Sequence, residues 1–157
     1  LASSAASDVY KRQIPKFVVF KGVSSSGNIN WSQYIVTEFL KNVDINAHIA
    51  KISVIYEDKA RAMYNKMKEC FHPSVEYTMP QGGMFIWAKL PDTVKATDFC
   101  LDAAKNLRIA VVPGNDFFCG SPEDCSYIRL NFSKPSVEDI EYGIEKLGEL
   151  TYKYCGK

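Results

Sequence analysis

One stretch of the sequence constrains the fold more than any other feature. After Asp44, apolar residues recur mostly at three- or four-residue spacing until Pro73, and they are Ile45, Ile49, Ile52, Tyr56, Met63, Met67 and Cys70. This spacing matches the repeat of an α-helix, so the sequence predicts one amphipathic helix of about seven turns. A helix of that length is unusual in a small domain, and it suits an element that joins two packing units.

The residues that follow this helix predict an antiparallel hairpin. Residues 75–79 and 84–90 are rich in β-branched, aromatic and methionine side chains. Residues 80–83 between them read Pro-Gln-Gly-Gly, which is typical of a turn between two strands. We therefore expect the two apolar stretches to pair.

Shorter elements are predicted on both sides of the hairpin. They are a helix over residues 31–41, a helix over 94–106, a buried strand over 109–112, a strand over 126–133, and a helix capped by Ser136 and Asp139 that ends near Tyr154. In the strand over 126–133, Ile128 and Leu130 alternate with Arg129 and Asn131, so one face is apolar and the other polar. Residues 14–22 could form a strand or the end of a helix. This order of elements predicts an α+β fold, in which helices cover one face of a small, largely antiparallel sheet.

Charge and hydropathy exclude several classes of protein. The chain has 19 Lys and Arg against 18 Asp and Glu, a net charge of +1, so it lacks the excess of one sign that marks nucleic-acid-binding or membrane-surface proteins. The longest apolar clusters, residues 17–20 and 84–88, are too short to span a bilayer. We expect neither nucleic acid nor a membrane as a partner.

The cysteines and histidines indicate a reducing compartment and no metal site. The five cysteines include no CxxC pair, and His48 and His72 lack the spacing of metal ligands. We therefore expect a cytoplasmic protein without a bound metal. Cys119 and Cys125 lie close enough in sequence to form a disulfide, or they are two free thiols.

Residues 1–13 are predicted to be foreign to the natural protein. Residues 3–13 read SSAASDVYKRQ, which resembles the in-frame translation of a transposon-library sequencing adapter, one codon for each residue. Residues 1–7 also lack the basic region and the long apolar region of a signal peptide. We expect the protein's own sequence to begin near Ile14, inside a longer gene.

A few residues could carry chemistry. The guanidinium of Arg129, on the polar face of its strand, could bind a carboxylate through two parallel N–H donors, or it could be a solvated arginine on an open sheet face. Gly82 and Gly83 could bring backbone close to a ligand, or they could only form the turn. Pro113 and Gly114 could shape the mouth of a pocket, or they could only end a strand.

Four segments, in this order, resemble the C-terminal part of the class I/II aminotransferases, which are pyridoxal-phosphate enzymes of fold type I. They are SSSGNINWSQYIVTEFLKN, PQGGMFIWAKLPD, IAVVPGNDFF and YIRLNFSKPSVEDIEYGIEKL. The motifs GGMFIW and RLNFS are most similar to those of the branch that contains 2-aminoadipate and aromatic-amino-acid aminotransferases. The resemblance covers residues 14–150, and it implies the fold of the small C-terminal domain of such an enzyme.

The resemblance also implies roles for individual residues. It makes Arg129 the residue that binds the α-carboxylate of an amino-acid substrate, with Asn131 and Ser133 as secondary candidates. It places Gly82 and Gly83 near the substrate entrance, and it places Pro113 and Gly114 near that entrance as well.

The resemblance further implies how the chain divides. Residues 14–44 would be the end of the large cofactor-binding domain, and residues 45–157 the small domain. Residues 24–33 would lie near the dimer interface and approach the cofactor of the partner subunit.

What the resemblance implies for activity depends on groups that precede this chain. The lysine that forms the Schiff base with pyridoxal 5'-phosphate lies upstream in the family, so this stretch alone is expected to be inactive. The intact enzyme would be a cytoplasmic homodimer that transfers an amino group from an amino acid to a 2-oxo acid. The alternative is the aminotransferase-like domain of a MocR-type transcription regulator, which a DNA-binding head upstream would reveal.

Overall fold

The described residues before Ile49 are mostly helical. The computed structural model describes residues 2–24, 30–120 and 125–156, with side chains from residue 13 onward, and it divides into one unit up to His48 and another from Ile49. Helix α1 runs over Ala2–Ser24 and α2 over Asn30–Asn42. Residues 14–22, for which strand and helix were both open, are thus helical, and the predicted helix over 31–41 is confirmed.

The two N-terminal helices expose the apolar side chains that the structure describes. Within α2, which is described throughout, no residue is buried, and Trp31 and Phe39 are 71% and 50% exposed. Phe17 and Phe20 of α1 are exposed to a similar degree. Residues 25–29 of the segment expected near a dimer interface lie outside the described residues.

The predicted long helix is confirmed as α3, Ile45–Cys70. Asp44 caps its start, because its Oδ1 accepts a hydrogen bond from the Ala47 amide at 3.0 Å. Its buried residues all lie in the second half of the helix and are Ala60, Met63 and Met67. The apolar residues nearer its start are mostly exposed.

In the described part of the chain, four antiparallel strands form one sheet in the order β1-β2-β4-β3. They are β1 (Glu76–Tyr77), β2 (Phe85–Lys89), β3 (Val112–Pro113) and β4 (Tyr127–Asn131). The hairpin prediction is confirmed, since β1 and β2 pair with Tyr77 opposite Ala88. In the centre of the sheet, Arg129 of β4 lies opposite Trp87 on one side and Val112 on the other.

The predicted strand over residues 109–112 is wrong for most of its length. Helix α4 (Ala96–Asp102) continues into a π-helical turn over Ala103–Leu107, and the Ile109 amide donates to the Ala103 carbonyl at 3.1 Å. This bond ties the start of the apolar run to the helix end, so the chain pairs with β4 only at Val112 and Pro113. Val111 is buried without belonging to a strand.

The apolar face of the sheet packs under helices. The core joins residues of α3, α4 and α5 (Val137–Cys155) to four strand residues, Ile86, Ala88, Ile128 and Leu130. Ser136 and Asp139 form the predicted capping box of α5, with the Asp139 amide donating to Ser136 Oγ at 3.1 Å. The α+β prediction is confirmed, and the opposite face of the sheet carries the polar residue Arg129.

Two glycines of α5 are expected to respond oppositely to alanine. A Cβ on Gly148 would lie 2.5 Å from the Cys70 carbonyl oxygen, whereas a Cβ on Gly143 would have no atom within 4 Å. Gly148→Ala should lower the free energy of unfolding by about 1–3 kcal/mol, because the clash is with backbone. Gly143→Ala should raise it by about 0.5–1 kcal/mol, because alanine favours the helix. Urea titration of both variants measures this, and equal effects would show that α5 does not approach Cys70 so closely.

Candidate functional site

The face of the sheet that points away from the core is aromatic around one arginine. Phe85 and Trp87 of β2 and Tyr127 and Arg129 of β4 alternate with the buried residues of these strands, and all four are half-buried. This alternation follows from the two-residue repeat of a strand. Arg129 therefore lies on the open face, as predicted.

The guanidinium of Arg129 lies against two phenylalanine rings. Its Cζ is 4.2 Å from the centroid of the Phe85 ring and 4.4 Å from that of Phe117. Such contacts are attractive, because the face of an aromatic ring is electron-rich. Phe85 comes from the neighbouring strand, and Phe117 ends a 3-10 turn over Asn115–Phe117.

Within the described residues, no hydrogen bond or ion pair reaches the Arg129 guanidinium. Its Nε atom is buried and has no hydrogen-bond partner. Neither of its two Nη atoms is a buried atom without a hydrogen-bond partner. A charged group that is partly removed from water is costly unless it is paired. The site therefore suits an anion, and a planar guanidinium matches a carboxylate through two parallel N–H donors.

Further rings surround the Arg129 site. Trp87 stacks on Tyr127 with centroids 5.6 Å apart and meets Phe117 edge to face, also at 5.6 Å. Phe118 packs against Tyr127 at 5.3 Å. Trp87, Tyr127 and Phe117 form a wall beside the arginine, and Phe118 packs on Trp87 and Tyr127 without contacting Arg129.

The bend at Pro113 and Gly114 positions part of this wall. A Cβ on Gly114 would lie 2.8 Å from Tyr127 Cβ and 3.0 Å from Trp87 Cη2, so the close approach requires glycine. The Gly114 amide donates to the Tyr127 carbonyl at 2.7 Å, which holds the bend against β4.

Gly82 and Gly83 lie at a cavity that Arg129 does not line. They line a cavity of about 460 Å³ together with Tyr56 and Glu57 of α3 and Phe132, and Arg129 is not among its lining residues. Gly83 has φ +82°, a conformation that turn glycines supply. The structure thus places these glycines in the turn before β2 and does not bring them into one cavity with Arg129.

Asn131 and Ser133 bond to each other at the end of β4. Asn131 Oδ1 accepts hydrogen bonds from the amide and from the hydroxyl of Ser133, both at 2.7 Å. Asn131 is exposed, and its oxygen is engaged in this local turn. The bonding fits a role in ending the strand.

Sequence reasoning missed Phe85 and Phe117 as members of the site. The two-residue repeat of β2 places Phe85 on the open face, so that signal was present. Phe117 follows a turn and has no such periodic signal.

Among the described residues, neither the cysteines nor the potential metal-ligating side chains form a second functional site. The five cysteines are all described and all free, so Cys119 and Cys125 are two thiols. Burial, with a smaller contribution from Cys125, raises the pKa of the Cys100 thiol to about 12, which keeps it protonated and unreactive. Among the described residues, no group of three or more histidine, cysteine or acidic side chains is arranged to hold a metal ion, and no helix is long and apolar enough to cross a membrane.

The chain is similar to proteins of one family over most of its length. The profile of "Aminotransferase class I and II" matches residues 17–147. The aromatic-amino-acid aminotransferase 1 of Thermococcus litoralis is 34% identical over 119 residues, which are 76% of this chain and 28% of that protein. The HTH-type transcriptional regulator NorG of Staphylococcus aureus is 29% identical over 80% of this chain and 27% of its own.

A solved structure agrees in sequence and fold. The α-aminoadipate aminotransferase of Thermus thermophilus, in complex with N-(5'-phosphopyridoxyl)-L-leucine, superposes with a TM-score of 0.70 and 29% identity, over 79% of this chain and 31% of that one. The chain thus spans under a third of the length of each of these relatives. The profile match and the shared fold together show that the chain belongs to the class I and II aminotransferase family.

Proposed function

We propose that this chain is the substrate-carboxylate-binding part of a pyridoxal-phosphate-dependent aminotransferase. The observation that carries the proposal is the half-buried Arg129, whose guanidinium contacts two rings and has no counter-charge among the described residues. An amino acid and a 2-oxo acid both present an α-carboxylate, so one arginine can hold either substrate of a transamination. The family and the phosphopyridoxyl-leucine complex of the Thermus relative support this reading.

We assign the cofactor's anchoring lysine to a part of the enzyme outside residues 14–157. When bound, pyridoxal 5'-phosphate supplies the electron sink for the reaction, and its lysine must be able to lose its proton. Among the described residues, the pKa is raised for four lysines, Lys66, Lys89, Lys146 and Lys153. The largest cause is the electrostatic interaction with Cys70 for Lys66, and a hydrogen bond to a carboxylate for the other three. These four lysines do not fit the anchoring role, and membership of the family is what supports an anchoring lysine outside this stretch.

We also propose how the chain divides between the domains of the enzyme. We propose residues 45–157 as the small domain and residues 14–44 as the end of the large domain, with residues 1–13 foreign to both. The exposed apolar side chains of α2 support a surface that other protein covers in the intact enzyme. We propose a cytoplasmic homodimer for that enzyme.

Titration of the chain with pyridoxal phosphate tests the assignment of the lysine. We expect no saturable absorbance band, and borohydride reduction followed by peptide mapping should find label spread over several exposed lysines. The urea-unfolded chain is the control, with a similar spread of label. One lysine labelled stoichiometrically in the folded chain alone would contradict the assignment.

The alternative function is that of a MocR-type regulator, and the similarity to NorG is the observation that favours it. The sequence upstream in the gene separates the two. A DNA-binding head there would select the regulator, and a complete large domain without such a head would select the enzyme.

A further inference from the structure

The two rings against Arg129 come from different elements and reach it by different routes. Phe85 lies on β2, directly beside β4 in the sheet. Phe117 reaches the arginine from the turn after β3, and its amide donates to the Gly114 carbonyl at 2.9 Å. The guanidinium is thus held where a strand and a turn meet.

The turn that carries Phe117 is itself fixed against the sheet. Gly114 lies so close to Tyr127 and Trp87 that no side chain fits, and Trp87 meets Phe117 edge to face at 5.6 Å. Phe117 is 49% exposed, so its ring fills no core space. Its described partners are Trp87 and the Arg129 guanidinium.

Hydrogen bonds usually orient a binding arginine, and the described residues supply none here. Among the described residues, ring contacts are what fixes the guanidinium, because they favour one placement of its charge over the ring faces. With Nε buried, the nitrogens left to bind a ligand are the two Nη atoms.

We propose that Phe85 and Phe117 are positioning residues that orient the Arg129 guanidinium, so that a substrate carboxylate binds across its two Nη atoms. The inference rests on the proposed function of Arg129 and adds the residues that set its geometry. The two phenylalanines act through Arg129 and need no contact with substrate.

Carboxylate affinity in the full-length protein tests this inference. The probe is propionate, measured as a competitive inhibitor against the amino-acid substrate. Phe117→Leu should raise the inhibition constant of propionate about three- to thirtyfold, the range of a lost cation–π contact. Phe117→Tyr should keep the inhibition constant near that of the parent protein, because tyrosine keeps the ring. Phe85→Leu should raise the inhibition constant as Phe117→Leu does.

Phe118→Leu is the matched control. Phe118 neighbours Phe117 and packs on Trp87 and Tyr127, but its ring does not contact Arg129. A change below about twofold is expected for this variant. Equal losses in Phe117→Leu and Phe118→Leu would mean a general packing effect and would overturn the inference.

A spectroscopic measurement separates this inference from the proposed function. In the 157-residue chain, the rings of Phe85 and Phe117 should both shift the side-chain Nε–Hε resonance of Arg129. Phe117→Leu should remove the part of the shift that is due to Phe117, and Phe118→Leu should leave the resonance unchanged. If Arg129→Lys leaves propionate binding unchanged, the role of Arg129 is wrong. If Arg129→Lys weakens propionate binding and Phe117→Leu changes neither binding nor the resonance, only the positioning role is wrong.

Discussion

Replacing Arg129 with lysine in the full-length protein is expected to lower kcat/KM for an amino acid about ten- to a hundredfold. Arginine binds a carboxylate through two parallel N–H donors, whereas lysine offers a single point charge. The lost charge-assisted hydrogen bond is worth about 1.5–3 kcal/mol, which sets that range. Arg129→Met should lose more, because it removes the charge as well.

Arg61→Lys is the matched control for this prediction. Arg61 lies on the exposed surface of α3, where its guanidinium pairs with Glu57 one turn earlier at 2.5 Å. An exposed pair of this kind contributes little, so the kinetics should stay within about twofold of the parent protein. Unchanged kinetics for Arg129→Lys as well would make Arg129 a solvated arginine on an open sheet face.

Phe99→Ala is expected to cause the largest loss of stability. Phe99 is fully buried in α4 and packs edge to face on Tyr154 with centroids 5.6 Å apart. Its truncation should lower the free energy of unfolding by about 3–5 kcal/mol, through lost burial and the cavity left behind. For a domain of this size that is a large part of the total stability.

Leu101→Ala, two residues further along α4, is the control. Leu101 is 52% exposed, so its truncation should change the free energy of unfolding by at most about 0.5 kcal/mol. Urea titration followed by circular dichroism measures both variants. A loss below about 1 kcal/mol for Phe99→Ala would mean that α4 does not pack on the sheet as described.

Local patterns were enough to predict most of the fold. Alternation placed Ile128 and Leu130 in the core and Arg129 on the opposite face. Asp44 marked the start of α3 because a carboxylate there can bond a free amide of the first turn. The strand prediction for residues 109–112 was wrong because a short apolar run has the same sequence pattern in a strand and in the segment after a helix. Where pairing begins depends on β4, which is distant in sequence.

The site was less accessible to sequence reasoning. The residues alone favoured a solvated side chain for Arg129, and its predicted role came from the family resemblance. The resemblance also places Gly82 and Gly83 near the substrate entrance, and this stays a prediction; the cavity that they line does not include Arg129. The position of Phe117 depends on the contact of Gly114 with Trp87 and Tyr127, residues well apart in sequence, and no local pattern encodes that contact.

Transfer of ¹⁵N between substrates by the full-length protein tests the aminotransferase proposal most directly. The protein, supplied with pyridoxal phosphate, would be incubated with a ¹⁵N-labelled amino acid and an unlabelled 2-oxo acid, over a panel that includes aromatic amino acids and 2-aminoadipate. We expect ¹⁵N in the amino acid formed from the 2-oxo acid, with at least about tenfold slower transfer in Arg129→Met. No transfer across the panel, or equal transfer by Arg129→Met, would contradict the role proposed for this chain.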